Sequence, residues 1–161
     1  MTRSLEKLIF LEARLLDEGK LDDWLALYSE EGTYWVPIDE NADPLKDASI
    51  IYDSHQRLQM RVHQLVREGR VAQSPPSRSM RMITNLDMEE TSPLEATAHW
   101  NLLLLETRAG DWRQRALGET RQFPARCEAT FRKSGDAWKF LHKKIVLLNR
   151  SQPIEGLSFI I

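Results

Sequence analysis

The side chains best suited to acid–base chemistry in this sequence are a tyrosine, an aspartate and one or two histidines. Asp53 and His55 lie two positions apart, and Tyr34 and His99 lie in apolar surroundings elsewhere in the chain. An Asp–His pair at the mouth of a pocket could exchange protons with a small ligand, and Tyr34 or His99 could help to orient it. Asp53 or Ser54 is also a suitable N-cap for a helix, and His55 would then lie in its first turn. The residues alone leave both interpretations open.

Metal-dependent and nucleophilic chemistry have little support in the sequence. His55 and His63 are eight positions apart, whereas two ligands on one helical face need a spacing of three or four. His142 lies beside Lys143 and Lys144, whose ammonium groups disfavour a bound cation. The chain contains neither a Gly-x-Ser-x-Gly motif nor a phosphate-binding glycine loop. We therefore expect neither a metal or cofactor site nor a catalytic nucleophile in this chain.

The chain contains a single cysteine, Cys127. A disulfide within the chain is therefore impossible, and a zinc or iron–sulfur centre held by cysteines of this chain alone is excluded. Cys127 lies in an alternating segment, RCEATF, which is typical of a strand. A cysteine in that setting is more often a small buried residue than a reactive thiol, although neighbouring Arg126 could lower its pKa.

The first half of the chain has the spacing of helices. Leu5, Leu8, Leu15 and Leu16 recur at helical intervals behind Ser4, a good N-cap. The predicted elements of this half are a helix to Gly19, a short helix from Asp22 or Asp23 to about Gly32, a strand over Thr33–Val36, a loop over 38–47, an extended segment over Ser49–Tyr52, a helix from Asp53 or Ser54 to Gly69 and a loop over 71–79.

The second half changes to a period of two, which is typical of strands. Met80, Met82, Thr84, Leu86 and Met88 are predicted to share one face of a strand. Further strands are predicted over 96–108, over 113–123 and 125–133 with a bend at Pro124, and over 138–149, with turns at 109–111 and 134–136. Helices that precede a meander indicate an α+β fold, in which a curved antiparallel sheet with a mixed edge holds the N-terminal helices in its concave face.

The composition favours one globular domain over residues 1–161. The chain has 161 residues, 42% of them hydrophobic and 29% charged, with a formal charge of −2. Because this balance gives no general attraction for phosphate backbones or anionic lipid, we expect neither a nucleic-acid nor a membrane partner. Glu6 and Lys7 interrupt the segment Met1–Phe10, so it does not resemble a secretory signal, and we expect a cytoplasmic protein.

The strands also carry residues that are typical of protein interfaces. Arginines alternate with acidic residues in this half, at Arg78, Arg81, Arg113, Arg115, Arg121, Arg126 and Arg132, and tryptophans occur at 35, 100, 112 and 138. A solvated face of mixed charge is one interpretation, and a subunit interface rich in arginine and tryptophan is the favoured one. The apolar segment Leu157–Ile161 supports an interface, because it would fray unless it docked on something.

A series of short motifs runs from about Leu8 to the end of the chain. The motifs are Phe10–Asp17 (FLEARLLD), Trp24–Tyr28 (WLALY), Tyr34–Pro37 (YWVP), Ile51–Asp53 with Arg57-Leu58 and Arg61-Val62, Pro76–Arg78 with Asn85, and Lys144–Asn149 (KIVLLN). Their order and spacing resemble the β (small) subunit of bacterial aromatic-ring-hydroxylating dioxygenases. The resemblance implies a cone-shaped α+β fold like that of ketosteroid isomerase and scytalone dehydratase.

The resemblance also implies a function shared with other chains. Such a β subunit is usually structural and assembles with a catalytic α subunit as a hexamer of three α and three β subunits, with a β homotrimer inside it. The α subunit would carry a Rieske 2Fe–2S cluster and a mononuclear Fe(II), with electrons from NAD(P)H through a reductase and sometimes a ferredoxin. The product would be an arene cis-dihydrodiol. The single cysteine agrees, since a Rieske centre needs two.

Two hypotheses therefore stand. In the first, this chain is a non-catalytic β subunit, and its candidate interface residues are Arg78, Arg81, Trp100, Lys144, Asn149 and Phe159. In the second, it is a stand-alone lyase or isomerase on the same cone fold, with Tyr34, Asp53 and His55 in its pocket. Fold alone does not decide between them, because one scaffold can host both.

Overall fold

The computed structural model describes residues 2–68, 75–108, 119–154, 157 and 159–161. The predicted turn at 109–111 and the residues Trp112, Arg113 and Arg115 lie outside this part of the chain. The elements are α1 (Thr2–Asp17), α2 (Leu21–Leu25), β1 (Tyr28–Pro37), β2 (Ser49–Ser54), α3 (His55–Arg67), β3 (Arg78–Ser92), β4 (Glu95–Thr107), β5 (Thr120–Ser134) and β6 (Ala137–Leu147).

The strands form one six-stranded sheet in the order β2-β1-β6-β5-β4-β3. All neighbouring strands are antiparallel except β1 and β6, which are parallel. Helix α1 packs against β3 and β6, and α3 packs against β1. The predicted α+β class, with helices against a curved mixed sheet, is confirmed. Among the described helices, none is long and apolar enough to cross a membrane.

Buried and more exposed residues alternate along the central strands. The sheet therefore has an inner face, which the helices cover, and an outer face. On β4 the residues between the buried ones are more exposed; the buried residues are Ala96, Ala98, Trp100, Leu102, Leu104 and Glu106. Strand β5 follows the same pattern with Phe123, Ala125, Cys127, Ala129 and Phe131. The strand continues through Pro124, which lies on the outer face opposite Leu103.

Strand β3 departs from the predicted pattern at Asn85. This residue has a φ of 52°, and the register with β4 shifts between Thr84 and Asp87. Met80 and Met82 are exposed before the shift, whereas Leu86 and Met88 are half-buried after it. The prediction that these even-numbered residues share one face is therefore wrong, because a bulge exchanges the two faces midway along the strand.

Some of the other boundaries follow the sequence signals and some do not. Gly19, with a φ of 69°, follows the first helix as predicted. Ser54, rather than Asp53, caps α3, because its hydroxyl accepts a hydrogen bond from the Arg57 amide. The short second helix ends at Leu25, and β1 begins at Tyr28, several residues before the predicted strand.

Candidate functional site

The inner face of the cone contains a buried ion pair between α1 and β6. The Lys143 ammonium lies 2.7 Å from both carboxylate oxygens of Glu12, and each side chain is 3% exposed. The same carboxylate accepts hydrogen bonds from the Tyr28 hydroxyl at 3.0 Å and the Trp24 indole at 3.3 Å. Sequence reasoning missed this pair, since Glu12 and Lys143 are far apart in the chain and each lies among other charged residues.

Aromatic rings surround the buried ammonium. Lys143 Nζ lies 5.8 Å from the ring centre of Trp100 and 5.9 Å from those of Tyr34 and Phe140, within the range of cation–π attraction. Burial, and then the negative charge of Glu12, raises the pKa of the Tyr28 and Tyr34 hydroxyls well above the ordinary range. These groups satisfy one another inside the core, which is the arrangement of a structural network.

The three predicted pocket residues do not form one group. The Tyr34 hydroxyl is buried and donates to the Ile161 carbonyl oxygen at 2.8 Å. Asp53 is the register partner of Tyr34 on β2, but its carboxylate pairs with Arg61 of α3 at 2.6 Å. His55 is the first residue of α3 and is half-buried. The structure therefore brings Tyr34 and Asp53 onto neighbouring strands without joining them to His55 in a hydrogen-bonded acid–base group.

His99 lies on the opposite side of the sheet from Tyr34. It is exposed on β4, directly opposite Glu128 of β5, while the next residue, Trp100, points into the core. Consecutive strand residues face opposite ways, so His99 cannot join a site inside the cone. The suggestion that it could do so is wrong.

Two of the six interface candidates point into the chain itself. Trp100 is 3% exposed and forms part of the aromatic surroundings of Lys143. The Arg81 side chain is 4% exposed, pairs with Asp17 of α1 at 2.6 Å and donates to the Ile160 carbonyl oxygen. Neither Trp100 nor Arg81 is accessible to a partner, because both side chains are buried where the helices pack against the sheet.

The other four candidates lie nearer the surface. Arg78 is exposed at the start of β3. Lys144 is 23% exposed, lies 5.2 Å from the ring centre of Trp35 and donates to the Glu40 carbonyl oxygen. Asn149 and Phe159 are half-buried. Whether these four contact another chain remains a prediction.

Residues 157 and 159–161 of the apolar segment dock on their own chain. Ile160 and Ile161 are buried, and the Phe159 ring packs edge-on against Phe123 with 5.5 Å between ring centres. The predicted docking of this segment therefore takes place within the chain for Ile160 and Ile161, and these two residues give no support to a subunit interface. Their burial stabilises this chain. The hydrogen bonds that their carbonyl oxygens accept from the Tyr34 and Arg81 side chains hold them in place.

Cys127 has no partner suited to thiol or metal chemistry. Its thiol is buried and forms no disulfide. Burial raises the pKa of this thiol to about 12, although the nearby charge of Lys143 acts in the opposite direction. A thiol that remains protonated is a poor nucleophile and a poor metal ligand. Within the described ranges, no three His, Cys, Asp or Glu residues are grouped as metal ligands would be.

The outer face has a recess of about 440 Å³ where β1 and β2 meet the centre of the sheet. Its walls include Trp35, Tyr52, His99, His142 and Lys144. The Trp35 and Tyr52 rings are perpendicular, with centres 6.4 Å apart. Burial, and then the charge of Arg132, lowers the pKa of His142. The recess therefore combines aromatic surface with mixed polar groups.

Comparison with known proteins settles the family. A family model described as the ring hydroxylating beta subunit matches residues 11–152. The small subunit of 2-halobenzoate 1,2-dioxygenase from Burkholderia cepacia is 32% identical over 149 residues, which cover 88% of this chain and 84% of that protein. This chain belongs to the family of ring-hydroxylating β subunits. The resemblance seen in its motifs is confirmed.

Solved structures agree with this β-subunit assignment. The beta subunit of benzoate 1,2-dioxygenase from Burkholderia mallei superposes with a TM-score of 0.74 at 25% identity, over 97% of this chain and 95% of that one. A protein from Novosphingobium aromaticivorans that is assigned as a scytalone dehydratase superposes with a TM-score of 0.65 at 15% identity, over 91% and 83% of the two chains. At that identity the second likeness concerns the fold alone, and it confirms the predicted cone.

Proposed function

We propose that this chain is the structural, non-catalytic β subunit of a dioxygenase that adds O2 to an aromatic ring to give a cis-dihydrodiol. The observation that carries the proposal is the family match over residues 11–152. The 2-halobenzoate 1,2-dioxygenase relative is itself named a small subunit. The role of such a subunit would be to hold and stabilise the catalytic α subunits.

The residues of this chain do not suit the cofactors of the reaction. A Rieske cluster needs two cysteines and two histidines, and the one cysteine here is a buried thiol whose pKa is raised to about 12. A mononuclear iron of this kind needs two histidines and a carboxylate together. We therefore place the Rieske cluster and the Fe(II) in the α subunit, with electrons delivered from NAD(P)H by a reductase, directly or through a ferredoxin.

The lyase or isomerase hypothesis has less support. It requires Asp53 or His55 to act as a base on a bound ligand, yet the Asp53 carboxylate is 7% exposed and paired with Arg61. A buried carboxylate that is already paired with a guanidinium is poorly accessible to a bound ligand. The polar groups around Glu12 and Lys143 also form hydrogen bonds with one another and do not line an open cavity.

The outer face offers a surface for the proposed partners. On β3, Arg78, Met80 and Met82 lie on one face beside Leu103 and Leu105 of β4, and we call these five residues the outer-face patch. Met80 is 52% and Met82 is 47% exposed. Contiguous exposed apolar residues of this kind are typical of interaction sites. The partners would be α subunits and other β chains, in a hexamer of three α and three β subunits.

The test is co-expression of the tagged chain with the large subunit from the same source. The two are expected to co-purify, with a mass by light scattering that corresponds to three copies of each. The isolated chain should be colourless and inactive toward arenes, because it lacks the iron centres. If the two never co-purify, and the large subunit oxidises arenes equally well without this chain, the proposal is wrong.

A further inference from the structure

The loop between β1 and β2 presents a leucine to solvent, and we call residues 38–47 the Leu45 loop. Leu45 is 81% exposed, more than any other large apolar side chain that the structure describes. Ile38, at the start of the loop, is also 47% exposed. Exposed apolar side chains that lie close together are typical of a surface that another molecule covers.

Hydrogen bonds hold the Leu45 loop in one shape. The Asp43 carboxylate accepts a hydrogen bond from the Leu45 amide at 2.9 Å, and the Asp43 amide donates to the Asp47 carboxylate at 2.7 Å. Lys144 of β6 ties the loop to the sheet, because its ammonium donates to the Glu40 carbonyl oxygen at 2.9 Å. A loop that is already ordered loses little conformational entropy when it binds.

The Leu45 loop is also acidic. Its sequence, IDENADPLKD, contains four acidic residues and one lysine, which gives a formal charge of −3. A surface that receives this loop should therefore combine apolar side chains with positive charge.

The outer-face patch has both properties. Met80 is 52% and Met82 is 47% exposed, and flexible methionine side chains adapt readily to the shape of a leucine. Arg78 beside them is exposed and forms no ion pair with any residue in the described ranges. Its guanidinium is therefore free to pair with a carboxylate of another molecule.

The Leu45 loop and the outer-face patch lie at opposite edges of the sheet. The loop connects the strands of one edge, β1 and β2, whereas β3 forms the other edge. Neighbouring strands lie about 4.8 Å apart, so about 20 Å separates β1 from β3. One chain cannot cover its own patch with its own loop. Two different surfaces that fit each other join copies head to tail, and such contacts can close into a ring.

From these observations we propose that the Leu45 loop of one β chain docks on the outer-face patch of the next. Leu45 packs between Met80 and Met82, and the acidic residues of the loop lie beside Arg78. This inference rests on the proposed function, because it names the surfaces that join the β chains of the proposed hexamer. Loss of the contact would also weaken capture of the large subunit, since a ring of β chains binds several α subunits at once.

Two complementary variants of the isolated chain test the proposal. Leu45→Asn alters the loop and leaves the patch intact, whereas Met82→Glu alters the patch and leaves the loop intact. In analytical ultracentrifugation the unaltered chain should form a trimer, and each variant should associate with itself at least tenfold more weakly. The two variants should bind each other as a 1:1 dimer, at least tenfold more tightly than either binds itself, because one intact loop meets one intact patch.

Leu94→Asn is the matched control. Leu94 is 60% exposed and lies in the turn between β3 and β4, outside both surfaces, so this variant should form the same trimer as the unaltered chain. An unaltered chain that stays monomeric, or variants that fail to bind each other, would overturn the proposal. So would self-association that is lost in Met82→Glu and retained in Leu45→Asn, which is the result for a patch that meets a second patch.

Arg78→Gln tests the ionic part of the contact. The variant removes the charge and should weaken self-association about two- to fivefold, the value of one exposed ion pair. Added NaCl should weaken the association of the unaltered chain more than that of Arg78→Gln. Equal association of the two at low salt would show that the acidic loop does not meet Arg78 and would refute this placement.

These measurements use the β chain alone, so they separate this inference from the proposed function. Head-to-tail association without capture of the large subunit would refute the proposed function only. Capture of the large subunit by a chain whose two variants do not bind each other would refute the docking of loop on patch only.

Discussion

At the scale of single residues, the most important contact is the buried ion pair between Glu12 and Lys143. It joins the first helix to the last strand, and the aromatic rings around it exclude water. A buried pair of this kind adds little net stability over apolar residues of the same volume, but it strongly penalises the loss of one partner. It therefore favours one packing of α1 on the sheet.

Lys143→Met should destabilise the chain by about 3–5 kcal/mol, because Glu12 is left charged and unpaired in the core. The double variant Glu12→Gln with Lys143→Met should recover most of that loss. Urea denaturation followed by circular dichroism measures both. Lys144→Met is the control, since Lys144 is the next residue but lies on the outer face, and it should change stability by less than about 1 kcal/mol. A loss no larger in Lys143→Met than in this control would contradict the interpretation.

Because of His142, the free energy of unfolding of the chain should rise with pH. Its ring nitrogen lies 2.8 Å from the Thr33 hydroxyl, and burial followed by the charge of Arg132 lowers its pKa below the ordinary 6.5. Between the folded and unfolded pKa values the unfolded chain binds more protons, so the free energy of unfolding rises with pH there. This contribution is complete above about pH 6.5 and is lost as the pH falls below that value.

The measurement is an NMR titration of the His142 ring in the folded protein and in the urea-unfolded chain. The folded midpoint should be the lower of the two. His142→Gln should also reduce the loss of stability between pH 7 and pH 5. A folded midpoint at or above the unfolded one would show that the ring is not held in its neutral form.

At the scale of elements, the sequence predicts the strands better than it predicts their faces. Alternation is visible in the sequence along β5 and the first half of β4, whereas four consecutive leucines at 102–105 conceal it in the second half of β4. On β3 the methionines suggest one continuous face, but the bulge at Asn85 reverses it. A period-two pattern cannot show such a reversal, because one inserted residue leaves the apolar residues present and changes only their direction.

Asn85 tests this account of β3. A β-branched residue is strained at a φ of 52°, a conformation that asparagine tolerates, so Asn85→Val should destabilise the chain by about 1–2 kcal/mol. Asn85→Gly should retain nearly all of the stability, because glycine adopts this conformation freely. Thr84→Val is the control on the neighbouring strand position. Thermal denaturation distinguishes them, and equal stability of Asn85→Val and Asn85→Gly would contradict a strained backbone at this site.

At the scale of the whole molecule, the two faces of the sheet have different roles. On the inner face, Glu12, Asp53, Arg81 and Lys143 find partners within the chain. Sequence reasoning could not predict the pairs Glu12–Lys143 and Asp17–Arg81, because each joins distant parts of the chain through the fold, whereas Asp53 pairs with Arg61 of the adjacent helix. The outer face keeps apolar side chains exposed beside Arg78, which the fold of one chain does not require.

The outer-face patch should therefore be needed for assembly and dispensable for folding. Met82→Glu and Arg78→Glu should each reduce co-purification with the large subunit at least tenfold, because a carboxylate in a closed interface loses its hydration without gaining a partner. Their urea midpoints should match that of the unaltered chain, since both side chains are exposed. Met60→Glu on α3 is the matched control, because Met60 is also exposed and lies outside the patch, and it should assemble normally. Light scattering of the purified complex gives the readout: normal assembly of Met82→Glu would exclude the patch from the interface, whereas assembly lost together with the urea midpoint would show that the patch serves the fold.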